Sequence, residues 1–297
     1  MPPRRAVLAA ALLPLAGCSG GGPGRSEDAS PSPRSSRPSP TPAFAALERA
    51  HGARLRVYAL ATGSGATLTH RADERFAFCS TFKALAVGAV LDRHPTEHLE
   101  DRVTYTREEV NSLSPVTRRH VDEGMTVRQL CDAAIRHSDG TAGNLLMRDV
   151  GGPRGLTSYL RGLGDRASRM DRYEPELNRG GPRDTRDTTT PRAVAGCYRA
   201  LLLGDTLPTA QRALLRGWLL RNTTGDQRIR AGVPKGWKVA DKTGTGNYGR
   251  AHDVGLLWPP DDEPLVLAVL TDRPDQDAAP REALIAEVTR QVVAALT

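Results

Sequence analysis

A serine hydroxyl three residues before a lysine, in Ser80-Thr81-Phe82-Lys83, is the first pattern in this chain able to do covalent chemistry. If Ser80 opens a helix, Lys83 lies one turn on and shares its face. A hydroxyl beside an amine is a nucleophile beside a base, and a helix start adds free N–H groups and positive dipole. Taken alone, the same residues read as an N-cap serine with a surface lysine. Three further patterns are equally plain by themselves. Ser138-Asp139-Gly140 reads as a turn and helix cap. Lys242-Thr243-Gly244-Thr245 ends an apolar run and could bind a carboxylate. Glu174-Pro175-Glu176-Leu177-Asn178 sits in a long charged loop.

The background makes the lysines informative. The chain has 41 Lys plus Arg, of which only Lys83, Lys235, Lys238 and Lys242 are lysine. Arginine cannot release its proton in a protein, whereas a buried lysine can. Lysine kept against so strong an arginine preference suits proton chemistry at Lys83 and Lys242. Lys235 and Lys238 fit chance.

In this order and spacing the four patterns resemble the motif set of class A serine β-lactamases, in an actinobacterial-like lipoprotein form. The resemblance runs from about Ala43 to the C-terminus. It implies that Ser80 is the nucleophile and that Lys83 and Ser138 form its proton path. It gives Glu174 and Asn178 the hydrolytic water, and leaves open whether Lys83 or Glu174 takes the Ser80 proton. Lys242, Thr243 and Thr245 would receive the substrate carboxylate beside Gly244, and the backbone N–H groups of Ser80 and Thr245 would form the oxyanion hole. Arg172 and Asp187 look like the ion pair that closes the glutamate loop, Asn144 like its brace, and Glu174-Pro175 like a cis peptide. The resemblance implies β-lactam substrates, no cofactor, no metal and a monomer.

Two departures bear on substrate preference. The family usually has asparagine, which holds the amide side chain of the substrate, where this chain has Gly140. Many members carry an arginine at the place of Ala251; here Arg228 is the candidate for the second carboxylate contact. Cys79 and Cys131 match family disulfide positions, but their mates are Gly246 and Val87, so no disulfide and no efficient carbapenemase activity are expected. A penicillin-binding D,D-peptidase shares most of these groups but lacks a placed deacylating glutamate. A non-catalytic lipoprotein that senses β-lactams or wall peptides would not need all of them.

The elements that must position these residues follow from periodicity. Helical spacing marks Phe44–Ala50, Ser80–Leu91, Thr126–Ile135, Gly143–Val150, Ala193–Leu203, Ala210–Leu220 and Glu282–Leu296. Arg54–Leu60 and Ala66–Thr69 flank a Gly-Ser-Gly turn as a hairpin. Trp237–Lys242, Asp253–Trp258 and Leu265–Thr271 read as an antiparallel meander. Strands at both ends with helices between them predict an α+β fold. Its five-stranded antiparallel sheet would be built from both chain ends, residues 43–76 and 222–297, with a helical part at 77–221.

The first residues are a different matter. Arg4 and Arg5 precede the apolar run Ala6–Leu15, too short to span a bilayer, and Leu15-Ala16-Gly17-Cys18 resembles a lipoprotein cleavage box. Residues 1–18 are therefore expected to be a signal with lipidated Cys18, which places the protein outside the cell membrane. The Gly, Ser and Pro of residues 19–42 are expected to form a flexible tether. Net charge is +7, of which the five Arg and two acids through Pro42 supply +3. The remaining +4 is spread without a dense basic run, which argues against nucleic-acid binding.

Overall fold

The computed structural model describes residues 42–297; the export signal, Cys18 and the tether lie outside the described residues. Arg54–Ala61 (β1), Thr67–His70 (β2), Lys238–Gly246 (β7), Arg250–Trp258 (β8) and Leu265–Asp272 (β9) form one sheet in the order β2-β1-β9-β8-β7. Every pairing is antiparallel, with Val57 opposite Val269 and Lys242 opposite Val254. The sheet therefore joins the two chain ends, as the sequence predicts. Phe76–Ala77 (β3) pairs with Thr188–Thr189 (β6), and Arg102–Val103 (β4) with Met125–Thr126 (β5).

The unbroken apolar run of β9 is explained by burial on both faces. Val266, Ala268 and Leu270 face a core shared with Phe82–Arg93 (α2), Val127–Arg136 (α3), Gly140–Asp149 (α4), Gly152–Gly162 (α5), Pro191–Leu202 (α6) and Thr209–Leu220 (α7). Leu265, Leu267 and Val269 face a second core closed by Phe44–His51 (α1), Ile229–Gly232 (α8) and Glu282–Leu296 (α9). In α9, Leu284, Ile285, Val288 and Val292 are buried at helical spacing against that face.

Among the helices, α2, α4 and α5 depart from expectation, and α8 has no predicted counterpart. α4 begins at Gly140, because the buried Asp139 caps it by accepting from Ala142 N at 2.9 Å. The glycine of the serine-aspartate turn is thus already helical. α5 is invisible to periodicity because it opens on Gly151 and Gly152, both with positive φ, and on Pro153, residues that read as a turn. No helix among the described residues is long and apolar enough to cross a membrane.

Candidate active site

The expected helix start at Ser80 is in fact a short 3-10 turn, Cys79–Thr81, leading into α2 at Phe82. Cys79 holds φ +44, a left-handed backbone at a non-glycine residue. Ser80 caps nothing. Its hydroxyl donates to Glu174 Oε1 at 2.9 Å and accepts from Lys83 Nζ at 2.9 Å. Lys83 is wholly buried, which removes the surface-lysine reading. Its other two N–H groups go to Glu174 Oε2 at 2.9 Å and the Ser138 carbonyl at 2.7 Å. All three ammonium hydrogens are therefore committed, and the Ser80 proton faces a carboxylate.

Ser138 is held by its neighbour. Asp139 is fully buried and accepts from Val116 N, Thr117 N and the Thr117 hydroxyl at 2.8–2.9 Å. That anchor fixes Ser138 at φ +55, facing β7. Lys242 Nζ then donates to Ser138 Oγ and to the Thr243 carbonyl, each at 3.0 Å. Burial, reinforced by the nearby charge of Lys83, pulls Lys242 down to about 7. One strand residue earlier, the buried Asp241 accepts from Asn222 Nδ2 at 2.6 Å and Arg230 Nε at 2.8 Å. Thr243 shares a hydroxyl contact of 2.5 Å with Thr224. Gly244 is where β7 meets the nucleophile turn: a Cβ there would lie 3.1 Å from Cys79 Cβ and 3.2 Å from the Phe78 carbonyl. A side chain would push the strand away from Ser80.

The glutamate loop is tied at both ends and in the middle. Arg172 Nε donates to Asp187 Oδ2 at 2.6 Å, while Asp187 Oδ1 accepts from the backbone of Asp171 and Arg172. Asn144 brackets Glu174 by accepting from its N–H at 2.9 Å and donating to its carbonyl at 2.8 Å. Glu174-Pro175 is cis. The loop thus carries a buried carboxylate to the nucleophile. Asn178 lines the same cleft with both amide atoms free of protein partners among the described residues.

Arg228 stands at the cleft wall and is held there by its own partners. The sequence suggests a direct contact with the substrate carboxylate. In the structure the buried guanidinium has all its N–H groups engaged: Nη1 with the carbonyls of Gly244 and His252, Nη2 with Thr245 Oγ1 and Glu282, Nε with Glu282. Arg228 lies in the cleft wall and reaches the cleft through Thr245, whose exposed hydroxyl it orients at 2.7 Å. The cleft itself is about 520 Å³ and is lined by Ser80, Ser138, Asn178, Thr243, Thr245 and Arg228.

Every predicted site residue from Ser80 onward falls at this cleft or supports it. Sequence reasoning missed Thr224, Asn222, Arg230 and Asn111. These lie in loops and a short helix, where no spacing marks them. The cysteines Cys79, Cys131 and Cys197 are free and buried, and burial pushes the Cys79 thiol up to about 12.

The comparison that decides the family is a match of residues 40–296 to the model of the β-lactamase enzyme family. The chain belongs to that family. It is 57% identical over 259 residues to a β-lactamase of Mycobacterium tuberculosis, covering 85% of this chain and 84% of the relative. A β-lactamase of Nocardia farcinica is 56% identical over 258 residues, covering 86% and 82%. Among solved structures, the β-lactamase of Streptomyces albus G superposes with a TM-score of 0.83 at 47% identity, over 86% of this chain and 98% of that one. A class A β-lactamase of Clostridium kluyveri gives 0.83 at 45% identity, over 84% and 96%. Within this family the chain is a class A serine enzyme.

Proposed function

We propose that the chain hydrolyses penicillins and cephalosporins through an acyl-enzyme on Ser80, and so confers resistance to them. The observation that carries this reading is the buried Glu174 carboxylate 2.9 Å from Ser80 Oγ, because a D,D-peptidase has no such group to discharge its ester. The three committed hydrogens of Lys83 make Glu174 the acceptor of the Ser80 proton in this arrangement. The freed Oγ attacks the lactam carbonyl carbon, and the backbone N–H groups of Ser80 and Thr245 are the donors that meet the developing oxyanion. As the C–N bond breaks, Ser138 Oγ, held by Lys242, gives its proton to the lactam nitrogen, and the proton that Glu174 took from Ser80 returns to Ser138 by way of Lys83, which leaves Glu174 ionised again and Lys242 unchanged. Glu174 then takes a proton from water held with Asn178, and that water opens the ester. Thr243 and Thr245, the latter oriented by Arg228, receive the substrate carboxylate.

The purified protein is expected to turn over a chromogenic cephalosporin many times per active site. A single stoichiometric burst would indicate a peptidase, and no reaction a sensor.

The same reading makes the enzyme a monomer held outside the membrane by lipid on Cys18, since two acyl chains anchor stably where one is marginal. Cys18→Ser should move the protein from the membrane fraction to the medium. Unchanged membrane association would overturn the anchor and leave the hydrolase untouched.

A further inference from the structure

The volume beside Gly140 is the least explained part of the site. A Cβ at position 140 would lie 2.6 Å from Glu174 Oε2, 2.6 Å from Asn111 Oδ1 and 2.7 Å from Asn111 Nδ2. The Asn111 amide therefore occupies the place a side chain at 140 would take, next to the catalytic carboxylate. We propose that Asn111 is a specificity-determining residue: its Nδ2 donates to the acylamino carbonyl of a penicillin or cephalosporin, in place of a side chain at Gly140. This rests on the hydrolase reading above.

The hydrogen bonds fix which way the amide faces. Asn111 Oδ1 accepts from Leu113 N and from the Ser114 hydroxyl, each at 2.9 Å, so the oxygen end is taken and Nδ2 is the other end. The segment is clamped to the start of α4. Gly140 N donates to the Leu113 carbonyl at 2.7 Å, Asn111 N to Thr141 Oγ1 at 3.0 Å, and Thr141 N to Ser114 Oγ at 3.0 Å. Asn111 is thus held by the same turn that carries Ser138. Its Nδ2 is buried and finds no acceptor among the described residues.

An unpaired buried donor is costly, and a ligand acceptor relieves that cost. The neighbouring groups leave few rivals. Glu174 Oε2 is an acceptor, and the hydrogens of Lys83 are engaged with Ser80, Ser138 and Glu174. In both drug classes the acylamino group sits on the ring carbon next to the lactam carbonyl. When that carbonyl is at Ser80, the amide oxygen needs a donor a few bonds away. Ser112 and Leu113, the next two residues on the same segment, line the cleft.

The test compares benzylpenicillin with its bare aminopenicillanic nucleus, which lacks the acyl arm. Asn111→Ala should lower kcat/KM for benzylpenicillin roughly three- to tenfold through KM, the yield of one neutral hydrogen bond, and leave the nucleus unchanged. Gly140→Asn alone should impair both substrates, because its Cβ meets Asn111 and Glu174. The double variant should regain benzylpenicillin preference as the amide returns from position 140. Should Asn111→Ala unfold, Asn111→Gln, whose longer amide cannot occupy the same volume, should show the same split. Equal losses on both substrates, or no regain in the double variant, would overturn the assignment. Failure of the parent protein to hydrolyse either substrate would instead overturn the hydrolase reading.

Discussion

In Glu174→Ala, benzylpenicillin is expected to acylate Ser80 and remain there. The ester on Oγ can leave only through attack by water, and water is a poor nucleophile until a base takes its proton. Glu174 is the one carboxylate in hydrogen-bond contact with Ser80 among the described residues, with Oε1 at 2.9 Å from Oγ. Removing a general base typically lowers the rate on the order of 10²–10⁴-fold. Acylation should slow as well, because the Ser80 proton faces the same carboxylate, so the telling quantity is the lifetime of the adduct. Mass spectrometry of the intact variant should show protein plus one drug mass, persisting long after the parent has returned to free enzyme. An adduct that clears as fast as in the parent would show that another group activates the water.

The fold was legible where periodicity is strong. β1, β8, β9 and α9 declare themselves by apolar spacing, and the antiparallel sheet follows from strands at both chain ends. α5 was hidden because its first residues are Gly, Gly and Pro, whose turn chemistry outweighs a weak helical pattern. The reacting groups were legible because lysine is rare here and because four short patterns recur in one order. What spacing could not give is connectivity in three dimensions. Spacing marked Arg228 as a cleft residue, but not that β7 and β8 place carbonyl acceptors around it or that it donates to the Thr245 hydroxyl. Asn111 carried no pattern at all: only the packing of its loop on α4 puts its amide beside Gly140. Such contacts depend on which loop lies against which helix start, and no local sequence rule encodes that.

The glutamate loop should prove as dependent on Asp187 as deacylation is on Glu174. The Asp187 carboxylate has no exposed side-chain surface and accepts from Asp171 N at 2.7 Å, Arg172 N at 2.9 Å and Arg172 Nε at 2.6 Å. Its backbone carbonyl also accepts from Phe78 N at 2.8 Å, two residues before the nucleophile. Asp187→Ala leaves two backbone donors and one guanidinium edge without their acceptor. Breaking a buried pair by removing one partner costs about 3–5 kcal/mol, and the partial exposure of Arg172 together with its remaining contact to Asp184 favours the lower end. For a domain of this size each kcal/mol moves Tm by about 2–4 °C, so a drop of roughly 6–12 °C is expected by calorimetry. Asp187→Asn retains an oxygen for the two backbone N–H groups but sets an NH2 donor against Arg172 Nε in place of Oδ2, so its drop should be smaller than that of Asp187→Ala. The kinetic consequence separates this residue from a remote structural one. With the loop ends untied, Glu174 is held by Asn144 alone among these braces, and the acyl-enzyme of Asp187→Ala should outlive that of the parent while Ser80 is still acylated. A variant that melts at the parent temperature, or that melts early but clears its adduct at the parent rate, would show that the ion pair does not position Glu174.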